Sequence, residues 1–144
     1  MASHHDADIL MRLYDLRRED KMRKARAFLT SKFSAENLQD HLAKYPPASE
    51  ESALFRQAAT YWEMAASIVN SGALDEKLFF ENASEHFIVW EKIKHLVPEM
   101  RKAHKNPFLY HNLETIAARY EKFTNTRAPE AIEALRERFG VKKS

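Results

Sequence analysis

Residues 49–80 read SEESALFRQAATYWEMAASIVNSGALDEKLFF. Ser49 followed by Glu50 and Glu51 is a capped helix start with acids at the positive end of the helix dipole. Leu54, Phe55, Ala58, Ala59, Tyr61, Trp62, Met64, Ala65, Ala66, Ile68 and Val69 then make the segment apolar around most of its girth, which places such a helix in the middle of a bundle. The polar positions Arg56, Thr60, Glu63, Ser67 and Asn70 recur at spacings of four and three, so they form one narrow stripe. Gly72 supplies the left-handed residue that ends the helix. Asp75 caps the next one, with Glu76 in its first turn and Leu74 set to pack on Phe79 as a hydrophobic staple. The stretch therefore predicts a helix over about 50–71 and another over about 75–97, paired as a central antiparallel hairpin.

The same periodicity runs outward. Ile9, Leu10, Leu13 and Leu16, resumed by Met22, Ala25, Phe28 and Leu29, predict one long first helix from about Asp6 to Phe33, capped by Asp6 or Asp8. Its middle, Arg17–Lys24, holds seven charges in eight residues, with Glu19–Arg23 and Asp20–Lys24 as four-apart pairs. Ser34 is set to cap a short helix that Pro46 and Pro47 stop. Pro98 should kink or end the helix begun at Asp75, and 98–105 add a turn or two. Asn106-Pro107 reads as a cap and first position of a helix carrying Leu109, Leu113, Ile116, Tyr120 and Phe123. Residues 124–129, TNTRAP, read as a loop. Pro129 then opens a last helix with Ile132, Leu135 and Phe139, ended by Gly140. The expectation is a single all-α domain over 1–144, a bundle of five to six helices with a long N-terminal helix, frayed at 1–5 and 141–144.

Composition agrees. The chain of 144 residues has two glycines, five prolines and no cysteine, with 44% hydrophobic and 31% charged residues. No cysteine means no disulfide, thiolate metal site or cysteine nucleophile, and fits a reducing cytoplasm. No apolar run approaches a membrane span and none reads as a signal peptide. His4 and His5 carry no assigned role. Charge is uneven: 11–32 hold eight Lys/Arg against three Asp/Glu, 35–91 three against ten, and 92–105 five against one. Such blocks attract one another within a chain or between chains.

Chemical motifs are sparse. Read as a DNA-reading unit, the helix after Gly72 would present Asp75, Glu76, Glu81 and Glu85 with a single Lys77, which phosphates repel. No Glu-x-x-His motif occurs; Glu81, Glu85 and His95 on one helix face, Glu63 near them, and the lone pair His111 and Glu114 read as solvated surface rather than a metal site. No metal ligand, cofactor or catalytic residue is assigned. No Gly-x-Ser-x-Gly occurs, and the serines read as caps or helix surface. Glu63, mid-helix beside Trp62, needs a partner if buried, with Arg17, Arg18, Arg56 and Arg101 as candidates.

Arg17–Arg18 in LYDLRRED (13–20), KARAFL (24–29), YWEMAASIVNSGALDEKLFF (61–80), VWEKIKHLVPEMR (89–101) and NPFLYHNLE (106–114) together resemble a small family of uncharacterised bacterial helical proteins, a domain of unknown function. The resemblance covers about residues 9–117 and implies a helical fold and a bacterial source, with no activity and no site residues. The leading reading is a non-enzymatic cytoplasmic protein acting through self-association, a dimer first, or through a protein partner, with Arg17, Arg18, Lys21, Arg23 and Lys24 as interaction residues. The competing reading is a small enzyme or ligand binder using Thr60, Glu63 and Ser67. A third is nucleic-acid or membrane-surface binding by the basic first helix.

Overall fold

The computed structural model describes residues 1–141. Among them every regular element is helical: α1 (His4–Arg18), α2 (Asp20–Ala27), a π-helical turn (Phe28–Lys32), α3 (Leu38–Lys44), α4 (Glu50–Asn70), α5 (Glu76–Asn82), α6 (Glu85–Ile93), α7 (Val97–His104), α8 (His111–Arg127) and α9 (Ala131–Arg138). The helices number nine among the described residues rather than five or six, because two predicted long helices are each broken and Val97–His104 forms a helix of its own.

α4 forms as its sequence dictates. The Ser49 hydroxyl accepts from the Ser52 amide at 3.1 Å, and Phe55, Ala58, Ala59, Tyr61, Trp62, Ala65, Ala66 and Val69 are buried. Small alanines let neighbours approach closely, so α2 and α8 are its most extensive contacts, with α6 and α5 lesser ones. The elements of 75–97 thus meet α4 less extensively than α2 and α8 do. Gly72 adopts φ +86° directly after α4, the left-handed conformation its position requires. Asp75 accepts from the Leu78 amide at 2.9 Å, and Leu74 and Phe79 are both buried.

The first long helix breaks at Glu19, which is extended (φ −60°, ψ 143°). The run of charges around it has no apolar face to bury. Two capping interactions make the break cheap: Glu19 accepts from the Lys21 amide at 3.3 Å, and the Arg26 guanidinium donates to the Arg17 carbonyl at 3.0 Å. The expected Glu19–Arg23 and Asp20–Lys24 pairs give way to this cap and to a Lys24–Glu50 contact at 2.5 Å. After α2 the backbone widens into the π-helical turn, with Phe33 N–H donating to the Phe28 carbonyl at 2.9 Å. At the chain start α1 already begins at His4, not Asp6. Asp6 serves as its third residue, its carboxylate reaching back to the Ser3 amide at 2.7 Å. Its other oxygen accepts from the Asp75 amide at 2.7 Å, and these backbone donors hold the Asp6 carboxyl below its ordinary range.

The second predicted helix breaks at Ala83, extended at φ −144°. The break lets Phe79 and Phe80 before it and His86 and Phe87 after it face one aromatic cluster with Trp62 and Tyr120. A second cluster joins Phe28, Phe33, His41, Tyr45 and Phe55. Asn37 caps α3 in place of Ser34, accepting from the Asp40 amide at 2.8 Å. Pro98 opens α7 rather than only ending α6. Asn106 and Pro107 do not start α8: the Asn106 side chain accepts from the Phe108 amide at 3.0 Å in a turn, and the helix begins at His111. The 124–129 segment is helical as far as Arg127, which stacks on Phe123 at 4.8 Å and pairs with Glu81 at 3.2 Å. Of the terminal VKKS, Val141 is tied to the Arg136 carbonyl at 2.8 Å and the rest lies outside the described residues. Among the described residues no helix is long and apolar enough to cross a membrane.

Candidate interaction site at the first helix

α1 is the least buried long helix. Of its fifteen residues only Leu13 is buried, with Ile9 and Leu10 partly so. Met11, Tyr14 and Leu16 stand 60%, 43% and 52% exposed. Beside Met11 and Tyr14 lies a groove of about 250 Å³, lined chiefly by Leu10, Met11, Tyr14, Tyr61, Trp62 and Phe79, with Arg17 and Asn82 as polar members. The floor is rigid. The Tyr61 hydroxyl donates a short hydrogen bond to the Leu13 carbonyl, and burial pushes its ionisation up to about 12 against the opposing pull of Arg17 and Arg26. Trp62 Nε1 donates to Glu85 Oε2 at 2.8 Å, and Arg26 grips Glu85 through Nε at 2.7 Å and Nη2 at 3.1 Å. This bidentate bond raises the Arg26 guanidinium further above its ordinary value.

The five predicted interaction residues do not form one stripe, because the break at Glu19 divides them. Arg17 and Arg18 end α1 and both lie over the Tyr14 ring, at 4.9 and 5.4 Å from its centroid, with Arg18 also 3.8 Å from Asp15. Lys21, Arg23 and Lys24 are exposed on α2, and Lys24 is the one paired with Glu50.

The polar stripe of α4 has a different arrangement from a shared site. Thr60 donates to the Arg56 carbonyl at 2.6 Å and Ser67 to the Met64 carbonyl at 2.7 Å, both turned back onto their own helix. Glu63 is partly buried and crosses to α8. Its carboxylate accepts from the Leu113 amide at 2.9 Å, the Asn112 amide at 3.3 Å and Asn112 Nδ2 at 2.8 Å. None of the four arginines anticipated as its partner forms a bond to it. Tyr110, the residue before α8, offers no side-chain cap, so Glu63 caps that helix from outside. Arg101 is held instead by Glu114 at 3.0 Å and by the Leu109 carbonyl at 2.9 Å.

The acids after Gly72 are neutralised by arginines distant in sequence: Glu76 by Arg119 at 2.8 Å, Glu81 by Arg127, and Glu85 by Arg26. His95 meets the Ala35 carbonyl at 2.6 Å, so it does not join Glu81 and Glu85, and no group of three or more metal-ligating side chains occurs among the described residues. Two features escaped sequence reasoning. Glu91 is buried between Arg136 at 2.5 Å and Lys94 at 2.7 Å. His86 is fully buried among Phe79, Phe80, Trp62 and Tyr120, with Nε2 against the Ala83 carbonyl at 3.1 Å and Nδ1 without a partner. The sign of both was a polar residue on an apolar helix face.

The fold and this site define an all-helical protein with one continuous core and a little-buried, amphipathic first helix. The chain belongs to the family described as a domain of unknown function, DUF4760, whose model matches residues 2–120. No curated protein and no solved structure matches the chain.

Proposed function

We propose that this protein is a non-enzymatic binding module of the bacterial cytoplasm that works through α1, first by pairing with a second copy of itself. The observation that carries the reading is the mismatch between α1's apolar residues and their burial: a fifteen-residue helix buries one residue fully and leaves Met11, Tyr14 and Leu16 exposed, the first two on the rim of an apolar groove. Exposed apolar side chains that edge an apolar groove mark protein contacts. Charge supports an antiparallel pair. The N-terminal half of α1 carries Asp6 and Asp8, and the C-terminal half carries Arg12, Arg17 and Arg18 against a single Asp15. Two antiparallel copies bring opposite signs together under a two-fold axis.

Sedimentation equilibrium tests the reading. Wild-type protein is expected to form a dimer that dissociates in the micromolar range, since one helix face gives less than a standard interface. Met11→Asp with Tyr14→Asp should yield a monomer of unchanged helicity. A wild-type monomer at all concentrations, or a dimer indifferent to both substitutions, overturns self-association through α1.

A further inference from the structure

We propose that the loop between α7 and α8 is a second binding surface, which docks onto an anionic lipid bilayer by inserting Phe108 between headgroups that its flanking lysines attract. Phe108 is 71% exposed, at the tip of the loop 105–110. Its exposure is built in. Both ends of the loop are held in the left-handed region by residues that are not glycine, Lys105 at φ 53° and Tyr110 at φ 58°. Such conformations are costly and persist where the surrounding structure enforces them.

The enforcement is visible. Asn106 N–H donates to the Arg101 carbonyl at 3.0 Å, and Arg101 Nε donates to the Leu109 carbonyl at 2.9 Å. The Asn106 side chain accepts from the Phe108 amide, and His111 N–H donates to the Phe108 carbonyl at 3.0 Å. Tyr110 is buried, and Pro107 fixes its own backbone. The left-handed Lys105 that closes α7 and the left-handed Tyr110 that precedes α8 thus fix the path on which Phe108 projects.

Charge selects the partner. From Arg101 to Leu113 the chain carries Arg101, Lys102 and Lys105, with His104 and His111, and no acid. Arg101 is occupied by Glu114, while the Lys102 and Lys105 ammonium groups have no partner among the described residues. An acidic protein is a poor match, because a specific interface needs about 800 Å² per partner and this tip offers one large apolar side chain. A bilayer interface needs no matching shape. It accepts an isolated aromatic ring at headgroup level and gains from each nearby lysine. The surface is separate from α1 and does not depend on its role in self-association.

The test is flotation of the full chain with vesicles of phosphatidylcholine containing about 30% phosphatidylserine, against vesicles of phosphatidylcholine alone. Binding is expected at accessible lipid on the order of 1 mM, as one inserted ring with a few cations is a marginal anchor. Lys102→Gln with Lys105→Gln should weaken it about 25-fold, near fivefold per lysine. Phe108→Ser should weaken it about fivefold or more, and about 0.5 M salt should abolish it. Lys21→Gln with Arg23→Gln on α2 should leave it unchanged. All five positions are exposed, so the variants should melt like wild type. Equal binding to neutral vesicles, no binding at several millimolar anionic lipid, or loss confined to the α2 variant overturns the proposal. So does binding to a single-stranded oligonucleotide that Phe108→Ser abolishes while vesicles are ignored, which would make the loop a base-stacking surface.

Discussion

Glu63→Ala isolates what the carboxylate at the centre of the polar stripe does. In the structure it accepts three hydrogen bonds, at 2.8, 2.9 and 3.3 Å, from the first turn of α8. A hydrogen bond to a charged group contributes about 1.5–3 kcal/mol, and a negative charge at a helix N-terminus adds about 0.3–1 kcal/mol. Because Glu63 and Asn112 are only partly buried, water replaces part of what is lost. The expected cost is about 3 kcal/mol, which for a chain of this length lowers the melting temperature by roughly 10 °C. Glu63→Gln keeps an acceptor oxygen and loses the charge, so it should cost about 1 kcal/mol. Urea denaturation followed by circular dichroism measures both. The unfolding slope should stay constant, since the surface exposed on unfolding is unchanged. If Glu63→Ala lies within about 0.5 kcal/mol of wild type, the capping argument is wrong, and the case for Glu63 as a ligand-binding or catalytic group returns.

Acid should destabilise the protein through His86. Burial depresses its ionisation from 6.5 to about 3, so between those values the unfolded chain binds a proton that the native one refuses. Its contribution is complete above pH 6.5 and lost as pH falls toward 3, on the order of 5 kcal/mol in all; His86→Phe should flatten the stability profile over that window. Glu85→Ala strips the partner from a guanidinium that is three-quarters buried and from Trp62 Nε1, and should cost about 2–4 kcal/mol with a shift in tryptophan emission. Gly72→Ala meets no atom within 4 Å, so its cost should be the backbone penalty alone, about 1 kcal/mol by thermal melting.

Much of the fold was legible because helix signals are local. The Ser49 cap, the girdle of apolar residues on α4, the turn at Gly72 and the Asp75 cap each depend on residues within four positions of one another, and each stands where the sequence put it. The misreadings share one cause. Glu19 and Ala83 sit inside runs whose periodicity continues across them, so a one-dimensional pattern carries two helices into one. What breaks the chain there reaches beyond that pattern: Arg26 caps Arg17 across the charged run, and the aromatic cluster around Trp62 and Tyr120 needs Phe80 and His86 stacked at 5.8 Å. The start of α8 failed for the same reason, since its cap comes from Glu63, forty-nine residues before Asn112.

The first helix shows the division most clearly. Its amphipathic spacing and its charge order are properties of the sequence, fixed by which residues lie three and four apart. Whether Met11 and Tyr14 face a core or water is not, because burial depends on what α4 and α5 present across the gap, and there Tyr61 and Asp75 hold α1 by hydrogen bonds rather than by an enclosing apolar wall. Phe108 follows the same rule. Sequence periodicity gave it no place among the apolar faces, but only the left-handed turns at Lys105 and Tyr110, fixed by the bonds of Arg101 and the burial of Tyr110, turn that loop residue into a projecting one. Local spacing determines which elements form; the balance of burial and hydrogen bonding between elements determines which surfaces are left for function.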